Sequence, residues 1–171
     1  MEGKSEIRGE PRRFWPRSWT CVRCAVIEPR GRLWWMLKIA IRRASRPSEL
    51  DAAFAEAAAD GDRAMVVQLS PLSIAERGRI VGLAARFRLP VVYPLRDYVE
   101  AGGLLSYGPV LSDNFKRAAA LVDKILRGAS AGELPFEQPT HFELVANLET
   151  AKELGLTIPP AILDRADEVI E

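Results

Sequence analysis

The chain is poor in the residues from which catalytic and metal sites are usually built. A single histidine, His141, in 171 residues leaves no Ser/His/Asp set, and there is no G-x-G-x-x-G, no Walker A loop and no G-x-S-x-G. Carboxylate groupings such as Asp97 with Glu100, or Asp164, Asp167 and Glu168, sit at helical spacing on expected solvated faces, so no enzyme is predicted. The two cysteines form one C-x-x-C, Cys21 to Cys24, half of the four ligands a structural zinc needs, and no strand is expected before them as a redox site would require. No metal and no cofactor are therefore expected.

Long apolar runs are missing as well. The longest near the amino end, Leu33 to Leu37, has five residues, against about 20 needed to cross a bilayer. Met1 to Thr20 is interrupted by Glu2, Glu6, Glu10 and Pro11 and does not read as a secretory signal. As written, the chain is expected in the cytoplasm with no membrane span.

What is present is unevenly distributed. Met1 to Arg46 holds 12 Lys+Arg against 4 Asp+Glu, a net of +8, whereas Pro47 to Glu171 holds 12 against 19, a net of −7. All four tryptophans (Trp15, Trp19, Trp34, Trp35) and both cysteines precede residue 36. Residues 1–36 are thus expected to be an atypical basic, Arg/Trp-rich segment, disordered and separate from an α/β domain over 37–171. Its charge and aromatics would give only weak adventitious contact with nucleic acid, which is not expected as a partner.

From Pro47 onward helix and strand patterns alternate. Ser48 is a plausible N-cap for a helix burying Leu50, Ala53, Phe54 and Ala57 and stopping at Asp60-Gly61. Ala64 to Leu69 reads as a strand buried on both faces. A second helix, capped by Ser73, runs to Leu89-Pro90, and Val91 to Tyr93 is a second buried strand, giving a right-handed βαβ unit. A polar turn, Leu95 to Glu100, precedes the paired glycines Gly102-Gly103 and a short strand Leu104 to Tyr107. Ser112 to Arg127 is a helix with one apolar stripe ended by Gly128, Phe142 to Asn147 is a strand with one exposed face, and Leu148 to Leu154 and Pro160 to Ile170 are closing helices.

In such sheets ligands sit beyond the carboxyl ends of the strands. Three loops qualify: Gln68 to Ser73, where Ser70 and Ser73 offer hydroxyls to a carboxylate or else cap a helix; Pro94 to Asp97, where Arg96 pairs an anion or else Asp97 or Glu100; and Ser106 to Gly108, where Tyr107 stacks on a ligand or else packs.

The stretches R-P-S-E-L-D-A-A-F, S-P-L, R-I-V-G-L-A-A-R-F-R-L-P-V-V-Y, R-D-Y-V-E-A-G-G-L-L-S-Y-G-P, L-P-F-E-Q-P-T-H-F-E-L-V-A-N-L-E-T-A-K-E-L-G-L-T-I-P-P and L-D-R-A-D-E-V-I-E, spread over Ser45 to Glu171, carry a resemblance. In order and spacing they resemble the carboxyl-terminal half of the bacterial ABC-transporter substrate-binding proteins of tryptophan/tyrosine type. The resemblance implies a three-layer α/β/α lobe of a type I periplasmic-binding fold, with a mostly parallel sheet and without a complete first lobe. It also implies a solute-binding component of an ABC importer, outside the cytoplasm, binding a small ligand such as an amino acid or related anion and delivering it to a permease. By resemblance Ser70, Ser73, Arg96, Tyr107 and Gly108 face the ligand, although members reading P-T-D-N-T carry polar groups where this chain has Leu69-Ser70-Pro71-Leu72. A truncated or frameshifted copy is one expectation for the departure before residue 37. A noncatalytic single-lobe sensor or interaction module, self-associating through its exposed face, is the alternative.

Overall fold

A computed structural model describes residues 21–27 and 37–171. Its strands are β1 (Cys21–Ile27), β2 (Leu37–Arg43), β3 (Met65–Val67), β4 (Val91–Tyr93), β5 (Leu105–Pro109), β6 (Phe142–Asn147) and β7 (Glu168–Ile170). The helices are α1 (Leu50–Ala59), α2 (Pro71–Ala75), α3 (Arg77–Arg86), α4 (Arg96–Glu100), α5 (Leu111–Leu126), α6 (Leu148–Leu154) and α7 (Pro160–Leu163). One sheet runs in the order β2-β1-β3-β4-β5-β6-β7. Across β3 to β7 the pairs β3–β4, β4–β5 and β6–β7 are parallel and β5–β6 is antiparallel, so this α/β sheet is mostly parallel there. β1 lies within the segment assigned apart from the domain and pairs antiparallel with both β2 and β3. The remainder of residues 1–36, including all four tryptophans, lies outside the described residues.

The core forms on one face of the sheet. α1 turns Leu50, Ala53, Phe54 and Ala57 inward as its spacing predicts, and α3 adds Ile80, Val81, Leu83 and Ala84. These meet Met65 and Val67 of β3, Val91 and Tyr93 of β4, and Tyr98 of α4 in one buried cluster. An Asp51–Arg79 ion pair joins α1 to α3 across its rim.

The opposite face is only partly covered. Side chains alternate along a strand, so Val66 points away from Met65 and Val67 and is 44% exposed, correcting the expectation of a strand buried on both faces. A continuous apolar run cannot distinguish one covered face from two. Tyr107 and Phe142 lie on this same open face, since Tyr107 opposes Leu144 and Phe142 opposes Pro109 in the β5–β6 register.

Other boundaries differ for identifiable reasons. Ser48 caps nothing, because Pro47–Glu49 forms a 3₁₀ turn leading into α1. The helix expected from Ser73 is two, broken at Glu76, and its cap is Ser70. Leu95 to Glu100 contains the short helix α4 rather than a bare turn. The last expected helix divides into α7 and β7 because the Asp167 carboxylate accepts the Leu144 N–H at 2.8 Å and Val169 then pairs with Ala146. β6 buries three successive residues, Val145, Ala146 and Asn147, so its inner end is covered on both faces. Finally, α5 carries the expected stripe yet buries none of it: Phe115 is 72% and Leu126 81% exposed.

Candidate functional site

The carboxyl ends of β3, β4 and β5 place the five sequence-predicted residues, and local chemistry determines what each can do. After β3 the chain extends and starts α2 with Pro71 at its first turn. Ser70 Oγ accepts the Ser73 N–H at 3.0 Å while Ser73 Oγ accepts the Ser70 N–H at 2.9 Å and donates to the Gln68 carbonyl at 3.0 Å. This reciprocal capping box uses both hydroxyls, which are buried. Losing either removes donors' partners at a helix start, so Ser73→Ala is expected to lower stability by about 1–2 kcal/mol, read as a lower urea midpoint.

Arg96 opens α4 after β4. Its guanidinium meets Glu100 at 2.9 Å, Glu143 at 3.5 Å and Glu168 at 2.9 Å, so it joins α4 to β6 and β7. Asp97 pairs instead with Arg77 of α3 at 2.8 Å. The carboxylates, Glu100 foremost, raise the Arg96 pKa further above its already high value. One cation among three acids leaves a local excess of negative charge, which favours the ammonium of an incoming molecule over its carboxylate.

Gly108 is fixed by its neighbour rather than by exposure: a Cβ there would lie 1.8 Å from the Pro94 carbonyl oxygen. Its lack of a side chain lets β5 pass the loop that leads to Arg96. Tyr107, one residue earlier, is 58% exposed and stacks on Phe142 with ring centroids 5.7 Å apart. Glu143 and Gly108 oppose each other in the register and share the helix-covered face, while Tyr107 lies on the open one. The structure therefore brings Ser70 to Ser73, and Arg96 to three acids, but places Tyr107 across the sheet from the Arg96 cluster.

Residues that sequence reasoning passed over complete the picture. Phe142 is the stacking partner of Tyr107, recognisable in the sequence only once the β5–β6 register is known. Glu143 and Glu168 come from positions 47 and 72 residues beyond Arg96. Tyr98, stacked on Tyr93 at 5.1 Å, buries its hydroxyl beside Ser73 without a geometrically satisfactory hydrogen bond, and burial raises its pKa. Among the described residues the Ser106 hydroxyl is likewise buried and unpartnered. Among the described residues no helix is long and apolar enough to cross a membrane.

Comparison with known proteins gives this geometry a context. Among curated proteins no sequence matches the chain. A conserved domain protein from Vibrio cholerae superposes with a TM-score of 0.69 at 25% identity, covering 74% of this chain and 42% of that one. The ABC domain in complex with L-Trp from Streptococcus pneumonia superposes at 0.66 with 24% identity, covering 72% of this chain and 42% of that one. A ligand-free, open substrate-binding protein with adhesive properties from Clostridium difficile follows at 0.51 and 19% identity, with coverage of 74% and 42%. The chain thus spans less than half the length of each of these neighbours. The model of the family described as ABC transporter substrate binding protein matches residues 36–170, and the chain belongs to that family.

Proposed function

We propose that this chain is the ligand-holding lobe of the solute-binding component of an ABC-type importer, which takes up a small molecule without covalent chemistry and hands it to a permease outside the cytoplasm. The observation that carries this reading is the family match over residues 36–170. The bound L-Trp of the Streptococcus neighbour supports an amino acid as the ligand class, and the three acids around Arg96 count against a simple anion. In this reading the Tyr107–Phe142 pair is the stacking platform for an apolar or aromatic side chain. Arg96 with Glu100, Glu143 and Glu168 sets the local field at the same end of the sheet, and Ser70, Ser73 and Gly108 hold the loops that frame it.

Calorimetric titration with a panel of L-amino acids beginning with L-Trp tests the proposal. Tyr107→Ala, which removes an exposed ring and no core contact, should weaken the best ligand about tenfold with the urea midpoint unchanged. A panel without any binder, or full affinity in the variant, sinks the reading. Genes for a permease and an ATPase beside the coding sequence would support the transport role.

A second reading is favoured by the bare stripe of α5, whose Leu111, Phe115, Val122 and Ile125 face solvent. In that case the chain is a noncatalytic module that pairs with itself through this face. Size-exclusion with light scattering separates the two: a monomer that binds amino acids supports the first, and a dimer that binds none supports the second.

A further inference from the structure

A cavity of about 360 Å³ lies at the opposite end of the sheet from the loops discussed above, where β4 and β5 begin and β6 ends. α3 and α6 form its sides and the Gly102-Gly103 turn closes it. Val81, Leu89, Tyr93 and Leu154 make an apolar interior, and Arg88 and Glu153 both belong to its lining. Its volume falls within the range of small-molecule sites, at the lower end. Among the described residues neither the Arg88 nor the Glu153 side chain has an ion-pair or hydrogen-bond partner, and the two do not pair with each other. A solvent-exposed cation and a solvent-exposed anion therefore stand at the rim of one hollow whose lining is part polar and part apolar.

The backbone supplies an independent sign that Arg88 is held there for its side chain. Among the described residues, the left-handed position that follows a helix is filled by glycine after α1 (Gly61, φ 75°), α4 (Gly102, φ 98°), α5 (Gly128, φ 100°) and α6 (Gly155, φ 71°). After α3 it is filled by Arg88 at φ 50°. The termination is otherwise of the usual kind: Arg88 N–H donates to the Ala85 carbonyl at 3.1 Å and Leu89 N–H to the Ala84 carbonyl at 3.0 Å. Glycine would relieve the crowding of Cβ against its own carbonyl at this position. A non-glycine residue kept in that conformation beside a cavity points to use of the side chain.

The opposite wall is also shaped by a missing side chain. A Cβ on Gly103 would come within 2.6 Å of the Tyr93 ring and 2.7 Å of the Tyr98 carbonyl oxygen. The bare turn thus lets Tyr93 lie flush against the hollow. Thr150 of α6 fastens this turn by donating its hydroxyl to the Gly102 carbonyl at 3.0 Å.

We infer that this hollow is a second binding site, for a small zwitterion with an apolar body such as a free α-amino acid: Arg88 takes the carboxylate, Glu153 the ammonium, and the apolar group rests against Tyr93, Leu89 and Leu154. Both charges are needed because each alone would attract any counter-ion, while the pair fixes orientation. The site shares no residue with the Tyr107 platform and stands or falls separately from it.

The test is titration of the full chain with L-leucine and L-phenylalanine, followed by NMR shifts of the Gly102 and Gly103 amides, with N-acetyl-L-leucine and L-leucinamide as probes lacking one charge. At least one free amino acid should move these resonances, and each single-charge probe should bind about tenfold more weakly. Arg88→Gly should also weaken binding about tenfold while raising Tm by a few degrees, since it removes the strained conformation. Glu153→Gln should weaken binding to the same degree without a change in Tm. No shift with either amino acid, equal binding of the single-charge probes, or unchanged affinity in both variants overturns the site. Tyr107→Ala should leave these shifts intact; their loss in that variant would assign the response to the other end of the sheet and overturn this proposal as well.

Discussion

Gly108→Ala is expected to lower the unfolding free energy by at least about 3 kcal/mol, the upper end of overpacking costs, and to leave little folded protein at moderate urea. The added methyl would lie 1.8 Å from the Pro94 carbonyl oxygen and 2.9 Å from its carbonyl carbon. Neither atom is the end of a side chain that can swing aside. Moving β5 away would strain its pairing with β4 at Tyr93–Ser106 and with β6 at Gly108–Glu143. The contrast is Gly82→Ala in α3, where a Cβ meets nothing within 4 Å and the helix interior prefers alanine by about 0.5–1 kcal/mol. Urea melts followed by circular dichroism should move in opposite directions for the two variants. Equal midpoints would mean that β5 does not pass Pro94 this closely.

Phe54→Ala should cost about 3–5 kcal/mol, the range for emptying an aromatic site in a core. Phe54 is fully buried in α1 at the centre of the cluster shared with α3, β3 and β4. Because the domain's net stability is expected to be on the order of 5–15 kcal/mol, this one truncation removes a large part of it. The same change on α5 should do almost nothing: Phe115→Ala is expected within about 0.5 kcal/mol of the parent, since that ring already faces water. A comparable loss at both positions would show that α5 is packed in solution.

The contrast between these two phenylalanines also marks what could be read from the sequence. Period and spacing identified both helices correctly, and the buried face of α1 residue by residue. They could not tell which stripe has something to rest on, because amphipathicity records a preference for burial and not the presence of a partner. The same limit explains Val66, where an apolar run gave a strand but not the number of covered faces. Alternation of elements was sufficient for the α/β class, and motif order for the family. The site was less legible. Ser70 and Ser73 turned out to cap the helix, the plainer of the two roles open to them, and Arg96 found Glu100 as one reading held. Glu143 and Glu168 were beyond reach because only the β5–β6–β7 register brings them to Arg96. Arg88 was within reach in principle: it immediately precedes Leu89-Pro90, where a helix was expected to end, and the other described left-handed helix stops are glycines.

The uncovered stripe of α5 has a consequence for the chain in a cell. Chaperones and proteases act on apolar surface presented to water, and here Phe115, Val122, Ile125 and Leu126 present it in the native state without any unfolding. Turnover of the polypeptide is then expected to slow when a surface shields that helix, in addition to any gain from a more stable core.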